Sequence, residues 1–211
     1  MKKLIRGIVE FRQKTRPEHR ETFARLALGQ SPDTLLVACS DSRVAPNVFA
    51  STEPGDLFVI RNVGNLIPPC GPANDEAEAA AIEFATAALR VTDIIVCGHS
   101  DCGAMRALLD GPTAATPHLQ AWLRHAGDAH RQVKDPSRLS QLNVLLQLEH
   151  LRTYPGVRER LEAGRLRLHA WWFDIGQAEV LSYDAKAGRF VVIDEAEASR
   201  LLARLEGVPT P

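Results

Sequence analysis

Two rhythms of apolar residues divide this chain. In the first they return at helical spacing: Leu4, Ile5, Ile8 and Val9, then Phe23, Leu26 and Ala27. That spacing predicts helix over 2–28 with one interruption, Pro17 opening the second piece and Gly29 closing it. In the second rhythm the apolar runs are short and unbroken. Residues 34–38, 56–60 and 93–97 read as strands buried on both faces, as in a parallel sheet. Pro54-Gly55 precedes the second run and Gly98 stops the third. Helices are predicted from Asp75 to Arg90 and over 103–109, 117–133 and 136–152, after which Pro155-Gly156 breaks the pattern. Residues 165–173, 179–184 and 189–193 read as strands, the last two as a hairpin about 184–188, and 195–205 as a closing helix. The alternation describes an α/β fold with a mainly parallel central sheet and an antiparallel edge, flanked by helices. It reads as a single domain over 1–211, with a helical arm at 1–30 and the α/β core and C-terminal region at 31–211.

Composition narrows the partners. The 211 residues are 45% hydrophobic and 24% charged, with a formal net charge of -1, an ordinary globular mixture. No basic run or aromatic-basic interleaving points to nucleic acid. No apolar stretch approaches the roughly 20 residues that cross a bilayer. The basic N-terminus lacks the apolar core of a signal peptide, so a soluble, cytoplasmic protein is expected. Cys39, Cys70, Cys97 and Cys102 could form two disulfides, but a reducing cytosol favours metal binding for at least two of them.

The chemistry gathers in two runs, Cys39-Ser40-Asp41-Ser42-Arg43 and His99-Ser100-Asp101-Cys102, each where an apolar run stops. Two thiols, an imidazole and a carboxylate are the donors zinc takes. Parallel neighbouring strands would bring both runs to one sheet edge, where open α/β sheets bind ligands. If the extended backbone persists past Ala38, then Cys39, Asp41 and Arg43 share a face. Asp41 has two possible tasks: filling the fourth metal position, or pairing with Arg43 and leaving that position to water. Thiolates donate more charge than imidazoles, so the water would be less acidic than at a three-histidine site, where its pKa is about 7. The spacing alone leaves three readings open: a metal centre, two structural thiols beside a capping aspartate, or a reactive Cys-His pair.

Together with the 54–65 run PGDLFVIRNVGN, GHSDCG at 98–103 and the late segment LHAWWFD at 168–174, these residues resemble the β-class carbonic anhydrases. The resemblance extends from the N-terminal helices to about Ile193. It implies one zinc ion per chain on Cys39, His99 and Cys102, with Asp41 a fourth ligand in a closed state. It implies reversible hydration of carbon dioxide to bicarbonate and a proton by zinc-bound hydroxide, with Asp41 and Arg43 as the catalytic dyad. Gln30, Phe58, Val63, Phe84 and Gly103 match substrate-pocket positions, and Phe84 stands where many relatives carry tyrosine. A homodimer or tetramer is implied, with the N-terminal helices packing on a partner subunit and active sites at the interface. An inhibitory bicarbonate site of some relatives retains only Arg61 here, Leu36 and Phe173 standing at its other positions, so that regulation is expected to be missing or altered. Two other readings are a hydrolase of carbonyl sulfide or carbon disulfide, and a zinc-stabilised interaction protein that catalyses nothing.

Asp101 is expected to cap the helix after it. Cys97 reads as a buried strand residue and Cys70 as a loop thiol with no assigned role. His118, His125 and His130 are expected on one helix, and His169 to pack near Trp171, with Trp171 and Trp172 as strand packing or interface residues.

Overall fold

The computed structural model describes residues 1–71 and 76–206. Two helices, α1 (Lys2–Glu10) and α2 (Arg16–Leu26), form the N-terminal arm, joined by a π-helical turn at Phe11–Thr15. The interruption expected before Pro17 is therefore a change of winding. Pro17 sits in the first turn of α2, where its missing N–H goes unused. The arm buries none of its residues, and Leu4, Ile5, Ile8, Val9 and Phe11 are exposed.

After the arm come β1 (Thr34–Cys39), α3 (Pro46–Phe49), β2 (Leu57–Asn62) and α4 (Glu76–Glu83), which runs on as a π turn at Phe84–Ala88. The helix start expected at Asp75 lies outside the described residues. Then follow β3 (Asp93–His99), α5 (Gly103–Asp110), α6 (Pro117–Leu123), α7 (Pro136–Arg152), α8 (Pro155–Glu162), β4 (Arg167–Asp174), β5 (Glu179–Asp184), β6 (Arg189–Val192) and α9 (Glu195–Glu206). Among the described residues six strands form one sheet in the order β2-β1-β3-β4-β5-β6. The first four are parallel, and β5 and β6 add an antiparallel edge, as the apolar runs predicted.

Alternation along β1 and β3 sends Leu35, Val37, Ile94 and Val96 to one face, where Val144 and Leu151 of α7 cover them. Leu36, Ala38, Ile95 and Cys97 face the other way, onto Val44 and Phe173. Burial pushes the Cys97 thiol up to about 12, so it is an inert packing group. Cys70 is exposed. No helix among the described residues is long and apolar enough to cross a membrane.

One local expectation fails. The helix expected over 117–133 ends at Leu123, and single 3-10 turns at Arg124–Ala126 and Ala129–Arg131 flank Gly127. Gly127 takes φ +65°, and a Cβ there would lie 2.8 Å from Leu146 Cδ2, so the chain turns sharply where only glycine fits. His118 consequently lies on α6, while His125 and His130 lie on the two turns. Pro155-Gly156 follows the end of α7, as expected of a break, and also opens α8, since proline is well suited to the first helical turn.

Asp93, at the N-terminal edge of β3, accepts two hydrogen bonds from Arg167, at 2.7 and 2.6 Å, and lies 2.7 Å from His169 Nε2. His169 is thus a hydrogen-bond partner of Asp93 more than a packing residue. Burial raises the Asp93 carboxyl, but the bonds from Arg167, His169 and Thr92 outweigh it and hold the group below the usual carboxylate range. Folding therefore favours the charged form. The stabilisation is complete above about pH 4, where the unfolded carboxyl is ionised, and is lost as acid protonates the folded one. Asp93→Asn is expected to lower stability at neutral pH and to flatten the acid side of the stability curve. Urea melts between about pH 3 and 7 check this; an acid limb as steep as in the parent chain would mean the cluster contributes nothing.

Candidate metal centre

β1 and β3 are parallel neighbours in register, Ala38 opposite Cys97, so both end at one edge of the sheet. Cys39 is the last residue of β1, His99 the last of β3, and Cys102 the N-cap of α5. Their ligating atoms lie within 4.8 Å of one another and all three residues are buried. The His99 ring is set by its other nitrogen: Nδ1 lies 2.9 Å from the Ser100 carbonyl, which assigns the proton to Nδ1. Nε2 is then a buried lone pair with no hydrogen-bond partner. An unmet buried acceptor costs about 1–3 kcal/mol, and a cation between the three residues satisfies it.

The thiols share their proton. The Cys39 sulfur ionises well below a free thiol because Cys102 hydrogen-bonds it, against the opposing effect of burial. Cys102 is correspondingly pushed up by Cys39 and by burial, although the Ala104 and Met105 N–H groups at the start of α5 favour its thiolate. The pair thus favours a thiolate on Cys39 over one on Cys102. Two thiolates and an imidazole this close together suit zinc.

Asp41 and Arg43 meet through a tight turn, not along an extended strand. The strand stops at Cys39, and Asp41 Oδ1 accepts the Arg43 backbone N–H at 3.0 Å. The guanidinium then grips both carboxylate oxygens, Nε to Oδ1 at 3.0 Å and Nη2 to Oδ2 at 2.8 Å. These bonds hold the Asp41 carboxyl far below the usual carboxylate range and raise Arg43 in turn. Asp41 Oδ2 stands 3.9 Å from His99 Nε2, beside the three donors while paired to Arg43. Arg61 donates to the carbonyls of Cys39 and Asp41, with Nη2 2.8 Å from each, and so anchors the backbone that carries both groups. Leu36 is buried and Phe173 stacks on Phe49 with ring centroids 4.9 Å apart.

The residues expected in the substrate pocket divide into two groups. Val63 and Gly103 adjoin the ligands: Gly64 donates its N–H to the Cys39 sulfur at 3.4 Å, and Gly103 follows Cys102. Phe58 and Phe84 pair with each other, ring centroids 5.8 Å apart. Phe58 lies four residues before Asn62, the register partner of Cys39, or about 13 Å along β2. Gln30 precedes β1 and borders a separate groove with Arg25, Leu26 and Asp56, at the strand end away from Cys39. One chain does not bring Gln30, Phe58 and Phe84 to its own metal donors.

Residues 34–180 match the carbonic anhydrase family model. The solved β-carbonic anhydrase CcaA superposes with a TM-score of 0.86 at 41% identity, covering 94% of this chain and 96% of that one. The chain belongs to the β-carbonic anhydrase family. A carbonic anhydrase of Synechocystis sp. is 44% identical over 205 residues, 90% of this chain and 74% of the relative. A β-carbonic anhydrase of the ascomycete Sordaria macrospora, described as tetrameric, superposes with a TM-score of 0.76 at 29% identity, over 86% of this chain and 95% of that one. As a carbonic anhydrase, the protein is a zinc enzyme that interconverts carbon dioxide and bicarbonate. Among the readings open from the sequence, neither hydrolysis of a carbon dioxide analogue nor a purely structural zinc is carried by these relatives.

Asp101 has another place in this carbonic anhydrase than the helix cap expected for it. Cys102 occupies the N-cap, and Asp101 takes φ +53°. Its carboxylate is drawn instead to Arg106 and to Arg43, whose Nη2 also donates to the Asp101 carbonyl at 3.2 Å. The loop after β2 also went unassigned apart from Val63. A glycine directly after an apolar strand, at the edge holding the metal donors, was the available signal for Gly64. Trp122, whose Nε1 donates to the Val63 carbonyl at 2.7 Å, had none.

Proposed function

We propose that Asp41 and Arg43 are the catalytic dyad of this carbonic anhydrase and that its substrate pocket is completed by a second copy of the chain. Cys39, His99 and Cys102 would hold zinc, whose charge would make a water ligand acidic, though less so than at a three-histidine site. Arg43 holds both oxygens of Asp41 and so keeps the carboxylate from taking the fourth position. Asp41 stays ionised throughout the working range and accepts a hydrogen bond from the attacking water, turning its lone pair toward carbon dioxide. The observation that carries this reading is the Asp41 carboxylate, gripped by Arg43 and 3.9 Å from the unpartnered His99 nitrogen.

Val63 and Gly103 form the near wall of the pocket. Gln30, Phe58 and Phe84 form the far wall from the neighbouring copy, since their own chain holds them away from its metal donors. The exposed stripe Leu4, Ile5, Ile8 and Val9 gives the arm an apolar face to lay on that copy. A groove of about 400 Å³ floored by Leu36, Ile95 and Trp171, with Asp33 and Asp56 at its rim, offers apolar and acidic surface to a basic, amphipathic arm. A dimer, or a tetramer such as the Sordaria relatives form, follows. The reading places the protein in the cytoplasm, in keeping with four unpaired cysteines. With Leu36 and Phe173 at the other two positions and Arg61 donating to backbone carbonyls, bicarbonate inhibition through that residue is missing or altered.

Stopped-flow hydration of carbon dioxide, with zinc content and sedimentation measured on the same sample, tests the reading. About one zinc per chain, an oligomer and turnover rising toward alkaline pH are expected. Zinc without turnover between about pH 6.5 and 9 would sink the dyad, and a fully active monomer would sink the shared pocket.

A further inference from the structure

Helix α7 turns three polar side chains inward, Ser140, Asn143 and Gln147, which are 1%, 2% and 0% exposed. Spaced three and four residues apart, they occupy a stripe that a packed helix ordinarily fills with apolar groups. Buried polar groups persist where their bonds are made, and here those bonds lead to the metal-bearing loops. Ser140 Oγ accepts the backbone N–H of His99 at 3.2 Å. Asn143 Nδ2 donates to the Gly64 carbonyl at 3.0 Å. Gln147 Nε2 donates to Asn143 Oδ1 at 2.8 Å, which leaves the Asn143 amide only its NH2 group to turn toward Gly64. Gly64 has little freedom of its own. It holds φ +85°, and a Cβ would lie 2.9 Å from the Ala104 Cβ. With its carbonyl fastened to α7, its N–H points at the Cys39 sulfur 3.4 Å away.

We infer that Asn143 is a positioning residue of the metal centre, holding Gly64 so that its N–H donates to the ligand sulfur of Cys39. The inference rests on the three-donor centre described above. A hydrogen bond to a ligating thiolate draws charge from the sulfur, weakens its donation and leaves the metal a stronger acid. That offsets part of the charge that two thiolates feed to zinc. Simple filling of the loop's hydrogen bonds would require the same contact between Asn143 and Gly64 but would leave the sulfur's electronic state unaffected by its loss.

The cobalt-substituted enzyme separates the two, because its sulfur-to-cobalt charge-transfer band reports the electron density on sulfur. Asn143→Leu keeps the branched shape at Cγ and removes the donor. It is expected to move that band to lower energy, as the sulfur regains the charge the bond drew off, and, because the loop around the Cys39 sulfur is no longer held in place, to weaken zinc binding about tenfold or more in a chelator competition. Ser182→Ala, which breaks a buried 3.1 Å bond to Glu197 between β5 and α9, should leave the band in place. A folded Asn143→Leu protein with the parent's band and zinc affinity overturns the inference. Should that variant fail to fold, the parent chain loaded with cadmium-113 decides. Scalar coupling from the metal through sulfur to the Gly64 amide proton is expected, and its absence overturns the inference. A parent chain that takes up none of these metals overturns the metal centre itself, and the role of Asn143 with it.

Discussion

Cys102→Ser is expected to strip the protein of zinc and to abolish nearly all hydration of carbon dioxide. Serine offers an alcohol that stays protonated, where the site supplies a soft sulfur, buried at the start of α5, that gives up its proton to the metal. Cys39 and His99 alone leave the ion two donors. Without the metal nothing lowers the pKa of water from 15.7 to near neutrality, so the loss of turnover should reach about a thousandfold or more. The stability that zinc binding adds to the folded state disappears as well, and the melting temperature should lose its dependence on added zinc. Metal analysis of the purified variant, with stopped-flow assays and near-UV circular dichroism to show that it is folded, checks this. Full zinc retention would mean that the ligand set is not Cys39, His99 and Cys102.

Asp41→Ala separates binding from turnover. The three donors are untouched, so zinc content should stay near one per chain. Arg43 loses the carboxylate it grips with two charge-assisted bonds, and the attacking water loses its acceptor. The rate should fall by about 10² to 10⁴, the range for a positioned proton acceptor. The pH profile adds a second test. Arg43 holds Asp41 far below the usual carboxylate range, so the group is charged across the whole assay range and does not titrate there. Removing it should lower the plateau of the profile without moving its midpoint. Unchanged turnover would take Asp41 out of the mechanism.

The structure departs from the sequence pattern where a local signal has two meanings. Pro155-Gly156 follows the end of α7 at Arg152, as the break predicts, and also opens α8, because proline breaks a helix from within but opens one at its first turn. The helical spacing across 117–133 hid Gly127, whose left-handed backbone ends the helix. The condition that would have set Cys39, Asp41 and Arg43 on one face, an extended backbone past Ala38, is not met, because Asp41 two residues before the Arg43 N–H forms a turn.

By itself the sequence determined the strands, the sheet class, the donors and the family. Runs such as 34–38 and 93–97 are apolar on both faces because the sheet is covered on both, and the short His-x-x-Cys spacing survives in a local turn. Only the tertiary structure decided which groups face the metal and what holds them. The approach of Cys39 to His99 depends on β1 lying beside β3 in register, and Arg43 finds Asp101 across 58 positions. The Gly64 N–H reaches Cys39 while Asn143 reaches Gly64 from 79 positions away. Periodicity reports how deeply a residue is buried within its own element. Which buried groups meet is fixed by register and packing between elements, and no single segment encodes that.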